Sequence, residues 1–323
     1  FIIQRILLHL SFMLSSLLAL LYVRKVDIIF AMNPNLFAFF PALLYKILFH
    51  KNIIRNVDDL WPEVFYDLSI VKSKILKGVL DFAAKISYRI PVTIIPVSFG
   101  YVETLVKKYR IPHEKIVVIE HGVDTLLFQS PKLDSCITNH TRKTIMYSGA
   151  LNRGYDFETV IRAAKLLELE PVRFIIRGTG EHSDKLIKMI KASRVTNVAI
   201  RTDLLPKMEL VSFLNSADIF LLPMSPSGVI DQGLPTKILE YQALGKPIVC
   251  ISTGEAGKYI IKTHSGLVAT TRQPEELARL IMKLVNDMDL AKKLGSNGFN
   301  NIKSNLTLEM VGKRLMDVIN RSM

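Results

Sequence analysis

Short apolar runs alternate with segments of helical periodicity through the second half of this chain, and that alternation is its strongest constraint on fold. The runs fall near residues 144–148, 172–177, 197–200, 218–222, 247–251 and 266–269. Each is short enough for a strand and largely apolar, as suits a strand covered on both faces. Six of them separated by helical patterns predict a doubly wound parallel sheet, with a helical tail from about residue 273. The first half repeats the pattern on a smaller scale. Strands are expected over 26–31, Asn52–Val57, Thr93–Val97 and Ile116–Ile119. Helices are expected over Leu36–Phe49, Leu68–Arg89 and Tyr101–Tyr109, the middle one rich in lysine. Residues 125–142 are polar without periodicity and read as a linker. The fold class is therefore α/β with two Rossmann-like parallel-sheet domains, over 1–130 and 131–304. Residues 305–323 read as a C-terminal helix returning to the first domain.

Composition narrows the function. A length of 323 residues suits two domains, and 49% apolar content supports a large core. A formal net charge of +13 points to anionic partners. Cys136 and Cys250 give no disulfide framework, which favours a reducing, cytoplasmic compartment. The apolar stretch Ile6–Val23 is long enough to span a bilayer. His9, Ser11, Ser15 and Ser16 interrupt it, and a strand follows directly, so a buried or membrane-grazing helix is expected instead.

Open parallel sheets bind ligands at the C-terminal ends of their strands. Three glycine-bearing loops fall there in the second half. Ser148–Gly154 carries Gly149, Arg153 and Gly154; Arg177–Glu181 carries Gly178 and Gly180; Ser225–Lys237 leads into a helix. That last loop opens the stretch Gly233–Ile251, which reads as loop, helix, turn and buried strand. Pro235 suits the first helical position and Gly245 the left-handed stop. Lys237 is the oddity, because a cation in the first turn opposes the helix dipole. A bound anion would reverse that sign; a surface ion pair with Glu240, one turn on, is the alternative.

The order of these motifs resembles that of the retaining glycosyltransferases of family 4, which have the GT-B fold. Tyr147-Ser148-Gly149, Arg177-Gly178-Thr179-Gly180, Ala217–Pro223 and Gly233–Ile251 occur in family order. Asp59-Leu60-Trp61-Pro62-Glu63 and His121-Gly122-Val123-Asp124 resemble segments of the family's first half. The resemblance is nearest to members that build lipid-linked surface glycans. It implies transfer of a sugar from a nucleotide donor, a UDP- or GDP-sugar, with retention and without a metal or other cofactor. Glu240 matches the second glutamate of the family's Glu-x7-Glu motif, a ribose ligand, and Gln232 holds the place of the first. Arg153-Gly154 resembles a phosphate contact, and Ala150 replaces a second loop arginine. Gly233, Leu234, Pro235, Thr236 and Lys237 complete the donor side, with Lys237 expected at the diphosphate. Asp58, Asp59 and Glu63 are the carboxylates expected to bind or deprotonate the acceptor hydroxyl. The family's glycine-rich first loop has no counterpart, so an N-terminal domain lacking its first strand–helix units is expected.

Asp287-Met288-Asp289 falls between tail helices, away from the strand ends, and reads as a solvated turn. The histidines follow no metal-ligand spacing, and the sequons at Asn139 and Asn305 read as chance matches. The basic first half is expected to meet an anionic membrane surface through the lysine-rich helix and residues 6–23, placing the protein peripherally on the inner face. Nucleic acid is not an expected partner. The competing functions are a GT-B nucleotide-sugar 2-epimerase and a non-catalytic nucleotide-sugar or polyanion binder.

Overall fold

The computed structural model describes residues 2–20, 22–23, 26–32, 39–128, 142–226 and 228–323, without the side chains of 2–6 and 9. It divides into two compact units. The first comprises Phe1–Glu120, Gly228–Gly233 and Val311–Met323; the second comprises His121–Ser227 and Leu234–Met310.

In the first unit, helix α1 (Ile2–Ala19) precedes β1 (Ile28–Ala31), α2 (Phe39–Phe49) and β2 (Asn52–Val57). Then come α3 (Glu63–Asp67), α4 (Lys74–Arg89), β3 (Thr93–Pro96) and α5 (Gly100–Lys107). The three strands pair in parallel in the order β1-β2-β3. β2 is the central strand and is buried from Ile53 to Val57, although half of its residues are polar. Even Arg55 is fully buried there, its guanidinium 5.3 Å from the centre of the Phe39 ring, and burial lowers its pKa. Among the described residues, no helix is long and apolar enough to cross a membrane.

The second unit alternates strand and helix from its first strand through its sixth and then closes on consecutive helices. Its elements are β4 (Lys143–Ser148), α6 (Phe157–Leu166), β5 (Val172–Arg177), α7 (Ser183–Ser193), β6 (Val198–Arg201) and α8 (Lys207–Asn215). They continue as β7 (Ile219–Pro223), α9 (Thr236–Ala243), β8 (Ile248–Ile251), α10 (Glu255–Lys262), β9 (Gly266–Ala269), α11 (Pro274–Asn286) and α12 (Met288–Asn305); the last helix, α13 (Leu308–Ser322), groups with the first unit from Val311 onward. All six strands are parallel, in the order β6-β5-β4-β7-β8-β9. The chain thus works outward from β4 to one edge, returns to β7, and works outward to the other. That reversal makes the β4/β7 boundary the topological switch point, where the loops leaving adjacent strands diverge and leave a crevice.

Several expectations shift. Ile116–Ile119 is not a strand. β3 is only four residues long, so the segment makes one bridge and donates two backbone hydrogen bonds, from Val117 to Ile94 and Ile119 to Pro96. The lysine-rich helix begins at Lys74, where the Ser73 side chain accepts from Leu76 N, and not at Leu68. The division between units falls after Glu120 rather than at 130, because Val123 exchanges backbone hydrogen bonds with Leu306 and Leu308 of the second unit. Gly228–Gly233 groups with the first unit, where the Asp67 carboxylate accepts from Val229 N. Most of the expected linker 125–142, with Cys136 and the Asn139 sequon, falls in residues 129–141, outside the described residues, as do 33–38, the turn and the start of the helix expected over Leu36–Phe49.

Candidate functional site

At the switch point, the loops after β4 and β7 are tied together by backbone. Asp156 N donates to Pro223 O, and Ser225 N to Gly154 O. Helix α9 is oriented by Tyr241, whose ring stacks on Phe220 at 3.8 Å and whose hydroxyl both accepts from Ser148 N and donates to Ser148 O. Its first residue is Thr236, with Pro235 one position earlier than expected, as an N-cap that offers no side-chain hydrogen bond. The first turn therefore presents backbone amides with no acid beside them, only Lys237.

Lys237 is half-buried and held by two tyrosines from the β4 side. Its Nζ donates to Tyr147 Oη and Tyr155 Oη, both at 2.8 Å, and sits 4.4 and 4.0 Å from their ring centres. Tyr147 in turn donates to the Ala150 carbonyl, so the cage is braced by the loop it opens. Phenol oxygens and ring faces are weak substitutes for water. Desolvation accordingly pushes the ammonium down to about 7, against the pull of Glu240. Glu240 itself is raised by burial, opposed by Lys237 and Lys207. A half-desolvated cation without an ion-paired carboxylate, beside uncapped helix amides, is an arrangement ready for an anion.

Gly149 leaves the room for this. Its φ is +146°, and a Cβ there would lie 2.5 Å from Lys237 Nζ. Gly178 has a different duty. At φ +145° it packs directly under the Gly149 carbonyl, which a Cβ would strike, and Gly180 meets the Leu151 carbonyl in the same way. Gly149 N donates to Arg177 O and Leu151 N to Thr179 O, so the two glycine loops interlock as a continuation of the β4–β5 ladder. Gly178 and Gly180 build the floor that supports Gly149.

The other expected residues divide. Arg153 is exposed and pairs with Glu181 at 3.3 Å, while Gly154 N is held by Asn152 Oδ1. Arg177 is turned away, buried, its Nη2 donating to the Asp203 carbonyl, so its guanidinium serves the β6–α8 turn and not the crevice. Leu234 is buried, Pro235 half-buried and Thr236 exposed. Gln232 and Gly233 belong to the first unit, where Gln232 Oε1 accepts from Thr104 Oγ1 at 2.8 Å and its carbonyl from Ser98 Oγ at 2.5 Å. Asp58 and Asp59 follow β2, Asp59 exposed and Asp58 half-buried with Asn56 donating to its Oδ1. Glu63 does not join them. It is 6% exposed, accepts from the Tyr109 hydroxyl and pairs with Lys108 at 2.8 Å, which closes it off from an acceptor. Asp287 caps α12 by accepting from Leu290 N. Among the described residues, no cluster of His, Cys, Asp or Glu is placed to hold a metal. The sequence reading missed Tyr155 altogether; the signal was the aromatic at each end of the loop after β4.

Residues 133–301, more than half of the chain, match the family described as glycosyl transferases group 1. The chain belongs to that family. A glycosyltransferase of Methanocaldococcus jannaschii, itself uncharacterised, is 24% identical over 256 residues, 75% of this chain and 64% of its own length. The amylovoran biosynthesis glycosyltransferase AmsK of Erwinia amylovora is 25% identical over 176 residues, 54% of this chain and 42% of its own. The chain thus spans less than two thirds of these relatives. Among solved structures, Anabaena Alr3699/HepE in complex with UDP has a TM-score of 0.73 at 15% identity, covering 97% of this chain and 82% of that one. The likeness establishes the group 1 chain's fold as the two-domain α/β arrangement of GT-B type.

Proposed function

We propose that this protein is a metal-independent glycosyltransferase. It takes a sugar from a UDP- or GDP-linked donor and transfers it, with retention, to a lipid-linked or glycan acceptor in cell-surface polysaccharide synthesis, working peripherally on the inner face of the membrane. The observation that carries this reading is Lys237, caged by Tyr147 and Tyr155 over Gly149 at the switch point of the second sheet. Cleaving a sugar–diphosphate bond leaves positive charge on the anomeric carbon and negative charge on the departing diphosphate. Lys237 and the first amides of α9 are fixed in advance to receive the latter, so little reorganisation is needed as the charge develops. Arg153, at the neighbouring loop, exchanges Glu181 for a phosphate oxygen. Glu240 takes the ribose hydroxyls, and Asp58 and Asp59 handle the acceptor hydroxyl. The relatives support the class of chemistry: AmsK is named for amylovoran biosynthesis, and HepE was solved with UDP.

The test is UDP binding by calorimetry alongside donor-sugar hydrolysis, in the unaltered protein and in Glu240→Ala. Binding and hydrolysis by the former, with hydrolysis lost and the fold retained in the latter, are expected. Failure of the unaltered protein to bind UDP or GDP refutes the donor assignment. Binding without turnover of any sugar nucleotide would make it a binder and not an enzyme.

A further inference from the structure

Helix α4 carries an exposed apolar ridge. Ile75, Val79 and Phe82, spaced to share one face, are 82%, 59% and 67% exposed. The opposite face is fastened inward. Ala84, Ser87 and Tyr88 are buried, with the Tyr88 hydroxyl donating to Trp61 O. Tyr66 donates to the Lys77 carbonyl and to Asp81. Asp81, the only acid of α4, is also claimed by Lys108 at 3.0 Å. What remains exposed is the ridge together with Lys74 and Lys85 on the helix and Lys72 just before its N-cap, none of the three in an ion pair with a described residue. Lys74 and Lys85 are eleven residues apart, three turns, and so line the same flank of the ridge.

We infer that α4 is an interfacial helix that lays Ile75, Val79 and Phe82 into an anionic lipid surface while Lys72, Lys74 and Lys85 pair with its headgroups. The complementarity has two parts, apolar side chains standing proud of the surface and cations with no protein acid to answer them. That combination suits a fluid anionic interface better than a peptide, for which a protruding ridge offers no groove. Helix α1 was the other expected contact. It too exposes Leu8, Phe12, Leu14 and Leu18, but from Leu10 to Ala19 it has no charged residue to select an anionic surface. The inference rests on the lipid-linked acceptor reading for its purpose, and the geometry of α4 stands apart from it.

The experiment is co-sedimentation of the full chain with phosphatidylcholine vesicles, with and without about 30% phosphatidylglycerol, at low and raised salt. The protein is expected to bind the anionic vesicles, and less so at raised salt. Changing Lys72, Lys74 and Lys85 together to Gln should weaken binding about a hundredfold, roughly fivefold per lysine. Ile75→Ser with Phe82→Ser should weaken it by at least about tenfold at low salt. All five positions are exposed, so unaltered thermal melting and UDP affinity are expected of both variants. The inference is overturned if the unaltered protein ignores anionic vesicles, or if Phe12→Ser with Leu14→Ser in α1 abolishes binding while the α4 variants keep it. Equal capture by soluble poly-glutamate would mean a general polyanion patch and overturn it as well. Vesicle binding without UDP binding would sink the donor assignment and leave the docking surface standing.

Discussion

If Lys237 meets a diphosphate, donor affinity must depend on pH in a way set by the tyrosine cage. In the free protein the ammonium titrates at about 7. A bound diphosphate supplies the countercharge the cage lacks and returns the lysine to the ordinary range near 10.4. Below pH 7 the lysine is charged before and after binding, so pH matters little. Above it, binding has to take up a proton, and apparent affinity falls by up to tenfold per pH unit. Between pH 7 and pH 9 the neutral form of the free protein rises from about half to nearly all, which weakens UDP binding by about 50-fold, roughly 2.3 kcal/mol. Tyr147 and Tyr155 do not interfere, because burial raises both. The same group acts on stability with a defined sign. An unfolded chain holds the proton until about pH 10.4 and the folded one loses it near 7, so between these values the unfolded state binds more protons and stability rises with pH. Calorimetric titration of UDP at several pH values, in buffers of different ionisation enthalpy, reads both the affinity and the proton taken up. Lys237→Met should bind weakly with a flat profile above pH 7, and Lys237→Arg should also be flat, since guanidinium stays charged. Glu240→Gln, which removes the other titrating group, should keep the slope. A UDP affinity constant within threefold across this window, or an unchanged slope in Lys237→Met, would refute the reasoning.

Two further substitutions separate packing from chemistry. Gly178→Ala places a methyl group against the Gly149 carbonyl at a φ of +145°, and should cost about 3 kcal/mol in urea denaturation, whereas Gly78→Ala on the exposed side of α4 has open space and should gain roughly 1 kcal/mol. Glu63→Ala leaves the Tyr109 hydroxyl and Lys108 without their shared partner, so a loss of about 2–4 kcal/mol in stability with unchanged UDP affinity is expected; lost turnover at full stability would restore Glu63 as an acceptor-side carboxylate.

The parts of this molecule that were legible in sequence are those marked by a local run of apolar residues. Asn52–Val57, Val172–Arg177 and Gly266–Ala269 match the expected bounds to the residue, because each is a short, largely apolar run set between polar turns. Ile116–Ile119 has the same composition and fails to form a strand, because pairing depends on a neighbour and β3 ends too soon to supply one. The site divides along the same line. Lys237 was conspicuous because it breaks a local rule, a cation at the positive end of a helix, and a rule broken locally needs only local sequence to be seen. Its cage was invisible because Tyr147 and Tyr155 stand 90 and 82 residues away and reach it only through the parallel pairing of β4 with β7. The glycines mislead in the opposite direction. Gly149, Gly178 and Gly180 look alike as residues admitting a phosphate, yet Gly178 and Gly180 are required by the carbonyls of the neighbouring loop, and Gly149 alone borders the lysine. Glycine marks close approach without saying what approaches; an unfavourable charge that the fold nonetheless holds in place says what must come, which is why Lys237 carries the functional argument.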